Sequence, residues 1–244
     1  MRDVPESGCE FVGYEVRDRV AHVTLDHGKA NALSPDVVAA LDRCVTLAES
    51  AGAENVGALC VTGKPGFLSG GFDLKVMRAD PASAGALVTD GGALFARMFA
   101  SRLPVVVACP GHAVAAGALM LLAADERVGA DGEFQIGLIE TQIGMVLPRW
   151  AVELAQERLS RRHLQLATVG ARMYPPREAR DAGFLDSVVA PDELSAAAEA
   201  AAQRWASLPS AAYAGQVHAN RAERIRRLAD AIAADRGSGF DVPA

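Results

Sequence analysis

The chain is short of several features that would fix its class at once. Cysteine is scarce, with four in 244 residues at positions 9, 44, 60 and 109. Their spacing makes neither a C-x-x-C redox pair nor a zinc knuckle. They read as reduced thiols, Cys60 and Cys109 in the core, and a reducing, cytoplasmic compartment is expected. Basic charge is short too: 24 Lys and Arg face 30 Asp and Glu, a net charge of −6. The one dense basic patch, Arg221–Arg227, has Glu223 inside it. Nucleic-acid binding through phosphate contacts is therefore not expected. Long apolar runs are missing: Ala113–Ala124 falls well below the roughly 20 residues that span a bilayer, so no membrane partner is expected. The opening MRDVPESGCEF has no apolar h-region, so no signal peptide is expected. No two histidines share a helix or strand face at metal-ligand spacing, and the acids are scattered, so no metal is expected. A P-loop ending and the G-x-G-x-x-G order are both absent. No internal repeat and no low-complexity linker is visible.

What is present is apolar bulk. Half the residues are hydrophobic, ample for one large core with a helical appendage. Glu10–Arg17 and Val20–Leu25 read as a hairpin turning at Asp18–Arg19. HGKAN (27–31) is a loop, Ser34 a good N-cap and Pro35 a first helical residue, opening a helix to about Glu49. Val56–Thr62 is a core strand running into the glycine-rich loop GKPGFLSGGFDL (63–74), and Asp73–Met77 begins a short helix. Asp80–Ala93 is small, polar and poorly patterned, so a mobile or locally ordered connection is expected before a helix at Leu94–Arg102. Helices are read at Pro148–Leu159, Arg161–Val169, Pro176–Asp181, Leu194–Trp205 and Tyr213–Ala234, with a short strand at Leu185–Val189 and a fraying tail. Strand–loop–helix units followed by helices alone imply an α/β fold with parallel pairing.

The chain is organised around Val105–Met145. A β-branched run, Val105–Val107, reads as a buried strand broken at Pro110–Gly111. Ala113–Ala124 reads as a helix buried on all sides. Glu140 then stands among Ile136, Leu138, Ile139 and Ile143, either a surface acid or a buried acid with a task. Two stretches offer backbone N–H groups. Phe67–Asp73 is either a loop that lets a ligand approach the backbone or a tight strand-to-helix turn. Gly111–Leu119 (GHAVAAGAL) is either a helix start suited to an oxyanion or simply close packing.

These stretches together resemble the crotonase family, which includes the enoyl-CoA hydratases and isomerases. The resemblance rests on DHGKANALS (26–34), GFLSGGFDL (66–74), the strand-to-helix entry at 106–117 and IGLIETQIG (136–144). It implies a ββα spiral core over residues 1–189 and a C-terminal helical trimerisation region over 190–244. A homotrimer or dimer of trimers follows, with the carboxyl-terminal helices packing against a neighbour. The implied substrate is an acyl-CoA thioester, with no cofactor beyond its coenzyme A moiety. Gly70 and Ala116 would supply two oxyanion N–H groups. Lys29, Ala30 and Ala32, with Phe67, Ser69, Gly70, Phe72, Asp73 and Leu74, would line the coenzyme A path. Leu119, His112 and Gly117 would border the substrate.

Departures from the family pattern sharpen the reading. Ala115 and Ala116 replace common glycines, which requires negative φ at both. Phe72 replaces a usually small residue, and Ile139 a usual asparagine. Hydratases carry a glutamate at the position of Leu119, and leucine cannot orient or deprotonate water. Glu140 remains, and FQIGLIETQIGMVLPRW (134–150) is similar to the mitochondrial-type Δ3,Δ2-enoyl-CoA isomerases. The expectation is an isomerase with Glu140 as single acid/base. The alternatives are a hydratase or other crotonase-type lyase, and a non-catalytic acyl-CoA-binding protein. Asp125 is expected to make a structural hydrogen bond and Trp150 to pack between helices.

Overall fold

The computed structural model describes residues 7–238. Strands β1 (Val12–Arg17) and β2 (Val20–Leu25) form the antiparallel hairpin. Asp18 and Arg19 take φ of 46° and 62°, the left-handed pair that a two-residue hairpin turn requires. In β2, Ala21, Val23 and Leu25 face one core and Val20 another. Helix α1 (Pro35–Ser50) lies on the first face, its amino end capped by Ser34, whose Oγ accepts from Val37 N–H at 3.3 Å.

The chain then makes three similar turns. Strand β3 (Ala58–Thr62) lies parallel to β2, and the chain bends through Gly63 into β4 (Gly66–Ser69), α2 (Leu74–Met77) and α3 (Pro81–Ala100). A Cβ on Gly63 would sit 2.1 Å from the Phe67 carbonyl oxygen, so the corner requires glycine. Strand β5 (Val105–Cys109) bends at Pro110 into β6 (Gly111–Val114) and α4 (Ala116–Ala123). Strand β7 (Glu126–Ala130) leads to β8 (Ile136–Gly137), a 3-10 turn at Glu140–Ile143, and α5 (Arg149–Arg158). The final elements are α6 (Arg161–Thr168), α7 (Pro176–Ala182), β9 (Ser187–Val189), α8 (Leu194–Ala206) and α9 (Ser210–Ser238).

The larger sheet has the order β1-β2-β3-β5-β7-β9, parallel beyond the hairpin, and the smaller sheet the order β4-β6-β8, all parallel. Each turn of the spiral thus contributes one strand to each sheet before its helix. This is the mixed α/β fold expected, and its repetition lies in the backbone rather than in the sequence.

Three local expectations are corrected. Residues 81–93 are the first half of α3, not a loose connection: Asp80 caps it, accepting from Ser83 N–H at 2.8 Å, and Pro81 is its first residue. Residues 111–114 form a strand, so the buried helix begins at 116. The glycine-rich loop contains β4. The expected fraying tail lies, from residue 239 on, outside the described residues.

The main core fills the space between the two sheets and α1, α3, α4 and α5, while α8 lays Ala198, Ala201 and Ala202 on the opposite sheet face beside Val106, Ala108 and Val128. Helix α9 packs on α3 and α5 of its own chain. Asp125 anchors it: this carboxylate accepts from Val105 N–H at 2.8 Å, Tyr213 O–H at 2.9 Å and Arg221 at 2.5 Å. Within the basic patch, Arg224 pairs with Glu157 and Arg227 with Glu153. Among the described residues no helix is long and apolar enough to cross a membrane, and all four cysteines are free thiols.

Candidate active site

The site begins where β6 becomes α4. Ala115 N–H donates to Gly137 O at 2.9 Å, so this residue still belongs to the small sheet. The next peptide must turn to start a helix, and Ala115 absorbs the change with φ 51° and ψ −119°. The negative φ expected at both alanines therefore fails at Ala115 and holds at Ala116. Such a conformation costs an alanine about 1–3 kcal/mol. Its effect is to leave Ala116 N–H, at the first turn of a helix, with no partner among the described residues.

A second free N–H lies beside it, on a different residue from the one expected. Gly70 N–H donates to Ala30 O at 2.8 Å and has nothing left for a ligand. The next stretch runs alongside Leu33, whose N–H donates to Gly71 O at 2.8 Å and whose carbonyl accepts from Asp73 N–H at 3.0 Å. Successive residues of an extended chain point their polar groups to opposite sides. Phe72 N–H therefore points away from Leu33 and has no partner among the described residues. Gly71, φ 101°, holds this backbone against α4: a Cβ there would lie 3.1 Å from Ala115 Cβ and 3.5 Å from Ala116 N. The pair of unpaired donors is Phe72 and Ala116.

Phe72 borders a cavity of about 220 Å³ whose lining also includes Ala115, the residue just before Ala116, with Leu119, Glu140 and Trp150. Glu140 is 8% exposed, and its Oε2 has no hydrogen-bond partner. Burial pushes its carboxyl up to about 7, against a smaller opposing effect of its own backbone N–H. It opens the 3-10 turn, which Met145 N–H closes onto Glu140 O at 2.8 Å and Gln142 ties to Ala171 O at 2.7 Å. Glu140 is the sole carboxylate in the described lining. Leu119 lies one turn into α4, 2% exposed, and Ile139 also borders the cavity.

The remaining anticipated residues divide. Leu74 lines the cavity at its exposed edge. Lys29 and Ala30 are exposed and Ala32 half-buried, on a loop whose shape comes from Asn31. Asn31, buried with φ 54°, accepts from His27 N–H at 2.7 Å and donates to Leu25 O and Leu68 O at 3.1 and 2.8 Å. That role was missed; a lone Asn in a loop preceding an N-cap was its only signal. Asp73 caps α2 through Lys75 N–H at 2.8 Å. Ser69 is fully buried, its Oγ accepting from Gly71 N–H at 3.1 Å, so it reaches no ligand. Gly117 is a close-packing position, where a Cβ would sit 2.3 Å from Ser69 O. His112 lies outside the cavity lining: its Nδ1 accepts from Gln135 N–H at 3.0 Å, with Phe67 and Phe134 rings 4.9 and 5.6 Å away. Trp150 both packs on Phe95 at 5.9 Å and walls the cavity.

A larger cavity of about 750 Å³ opens on the other face of the six-stranded sheet, beside α8. None of the anticipated residues lines it. There His22 meets Glu199 at 3.2 Å, burial holding the imidazole below its ordinary value, and burial pushes the Cys60 thiol up to about 12. No group of three metal-ligating side chains occurs among the described residues.

The family model for enoyl-CoA hydratase/isomerase matches residues 15–239. The chain belongs to this family. A solved enoyl-CoA hydratase/isomerase family protein from Pseudomonas syringae is 42% identical, with a TM-score of 0.90 over 94% of this chain and 98% of that one. The human mitochondrial enoyl-CoA delta isomerase 1 is 31% identical over 155 residues, 63% of this chain and 51% of its own. A probable enoyl-CoA hydratase, echA8 of Mycobacterium bovis, is 30% identical over 209 residues, 83% of this chain and 78% of its own. The chain thus spans about half the length of the isomerase relative.

Proposed function

We propose that the protein isomerises 3-enoyl-CoA to trans-2-enoyl-CoA. The observation that carries this reading is a cavity lined by Phe72 and Ala115, with the free N–H groups of Phe72 and Ala116 at its wall, one carboxylate, and a leucine where a second acid would be needed. Glu140, ionised, takes the proton from the carbon alpha to the thioester. The electron pair moves onto the thioester oxygen, which accepts from Phe72 and Ala116 N–H. Each such donor is worth roughly 3 kcal/mol in the transition state. The neutral Glu140 then returns the proton to the gamma carbon, and the double bond has moved by one position. A carboxyl near 7 suits both halves of this cycle at neutral pH. Leu119 keeps the site dry, which raises the Glu140 carboxyl and starves water addition.

The exposed Lys29–Ala32 loop and Leu74 edge take the coenzyme A moiety in this reading, and no other cofactor enters. A trimer belongs to the same reading and is tested by sedimentation equilibrium. Hydration remains the competing activity because one relative is named a probable hydratase. A side-by-side assay of 3-enoyl-CoA isomerisation and 2-enoyl-CoA hydration separates them. Isomerisation should dominate, and Glu140→Gln should abolish it while thioester binding persists. Undiminished turnover in Glu140→Gln, or faster hydration, overturns the assignment.

A further inference from the structure

The cavity has a mouth and a closed end. Leu74 and Ile143 are 56% and 47% exposed, whereas Val88, Leu119 and Trp150 are all but fully buried. The closed end leans on one face of α3. Val88, Gly91, Gly92 and Phe95 recur there at the spacing of a single helical face. A Cβ on Gly91 would sit 2.4 Å from the Phe72 ring, and one on Gly92 2.7 Å from Trp150 Nε1. Both aromatic rings are thus seated directly on helix backbone, in a notch that only two adjacent glycines open. The rings also line the cavity. Protein interiors are close-packed, so a ring pushed off α3 moves into the one open space it borders.

Resting on the acyl-CoA reading of this site, we infer that the Gly91–Gly92 notch sets the length of acyl chain accepted, through the depth at which Phe72 and Trp150 sit. Scale follows from volume. A dry cavity of about 150 Å³ takes benzene, so 220 Å³ holds about nine carbons, the reacting end included. The favoured ligand is an unbranched acyl-CoA of about six to eight carbons, and longer chains meet the Trp150 wall.

Calorimetric titration of saturated CoA thioesters from butyryl to tetradecanoyl tests this without relying on turnover. In the unmodified protein, affinity should rise about tenfold for each two carbons buried and stop rising at octanoyl. Gly92→Ala should weaken octanoyl-CoA binding at least tenfold and leave butyryl-CoA binding unchanged. Trp150→Phe, which removes the indole edge that meets position 92, should extend the rise to decanoyl. The double variant should restore octanoyl binding, and that rescue separates a moved wall from damaged folding. Affinity rising evenly to tetradecanoyl, an equal loss at every length in Gly92→Ala, or an unmoved limit in Trp150→Phe overturns the inference. Failure of every thioester to bind overturns the acyl-CoA reading itself.

Discussion

Glu140 ties the chemistry to the stability of the fold, and the link has a definite sign. An ordinary glutamate has a value of 4.5, and burial holds this one at about 7. Between those values the unfolded chain has lost its proton while the folded chain keeps it, so stability falls as pH rises through the window. Below 4.5 both states are protonated and there is no cost. At pH 8 the full cost, about 3 kcal/mol, is present. Between pH 5 and pH 8 this group alone removes about 2–3 kcal/mol.

Glu140→Gln abolishes the ionisation while keeping the shape. Urea unfolding of both proteins at pH 5 and pH 8 isolates the effect as a difference of differences, which cancels any fixed cost of burying an amide. The variant should gain about 2–3 kcal/mol relative to the parent on moving from pH 5 to pH 8. In the proposed reaction the same ionisation governs turnover, because proton removal needs the carboxylate: kcat/KM in the parent should rise with pH, with a midpoint near 7. An equal pH dependence of stability in the two proteins refutes the reasoning. So does a rate profile already flat from pH 5.5 upward.

Other perturbations follow from the same geometry. Ala115→Gly should raise stability by about 1–2 kcal/mol in urea unfolding, because glycine takes the observed positive φ without strain. Asp125→Asn leaves the Arg221 guanidinium, which also donates to Phe99 O at 2.8 Å, without its carboxylate; it should cost about 3 kcal/mol and raise amide hydrogen exchange in α9. Asn31→Ala strands His27 N–H and the Leu25 and Leu68 carbonyls and should cost about 2–4 kcal/mol. For a chain of this size each kcal/mol corresponds to about 2–4 °C in Tm, so its melting point should drop by several degrees.

Much of the architecture was legible because its signals are local. The hairpin at Asp18–Arg19, the Ser34–Pro35 start of α1 and the exposed-to-buried alternation in β2 depend on a few consecutive residues. Glu140 stood out because a carboxylate amid isoleucines needs a reason. The failures share one cause, which is dependence on distant partners. Residues 80–93 look unhelical because they are small, polar and poorly patterned, yet two of the small residues, Gly91 and Gly92, seat the rings of Phe72 and Trp150. The Asp80–Pro81 cap was in plain view and should have outweighed composition. The resemblance implies Gly70 and the fold frees Phe72 instead, because nothing local shows that Ala30 consumes one N–H while Leu33 turns the other outward. At Ala115 residue type argued for negative φ, and the demand to leave β6 and enter α4 overrode it.

The spiral explains why these groups meet. Phe72 lies three residues beyond the end of β4, Ala116 two beyond β6, and Glu140 three beyond β8. Because β4, β6 and β8 pair in parallel, the chain leaves all three strands at one end of the small sheet, and each turn delivers one group there. Two of the three are backbone N–H groups, indifferent to side-chain change. In the proposed reaction, enolate stabilisation is then fixed by the fold, and the outcome is left to the side chains at 119 and 140. Proton removal and water addition should then separate cleanly. In deuterated solvent, exchange of the alpha proton of a saturated acyl-CoA reads enolate formation alone. Leu119→Ala, which costs about 2–5 kcal/mol of stability, should retain that exchange as long as the protein is folded, because it removes neither donor nor base. Glu140→Gln should lose it entirely. Loss of exchange in a folded Leu119→Ala protein would mean that Leu119 itself takes part in forming the enolate, and the division of labour between backbone and side chains would fall.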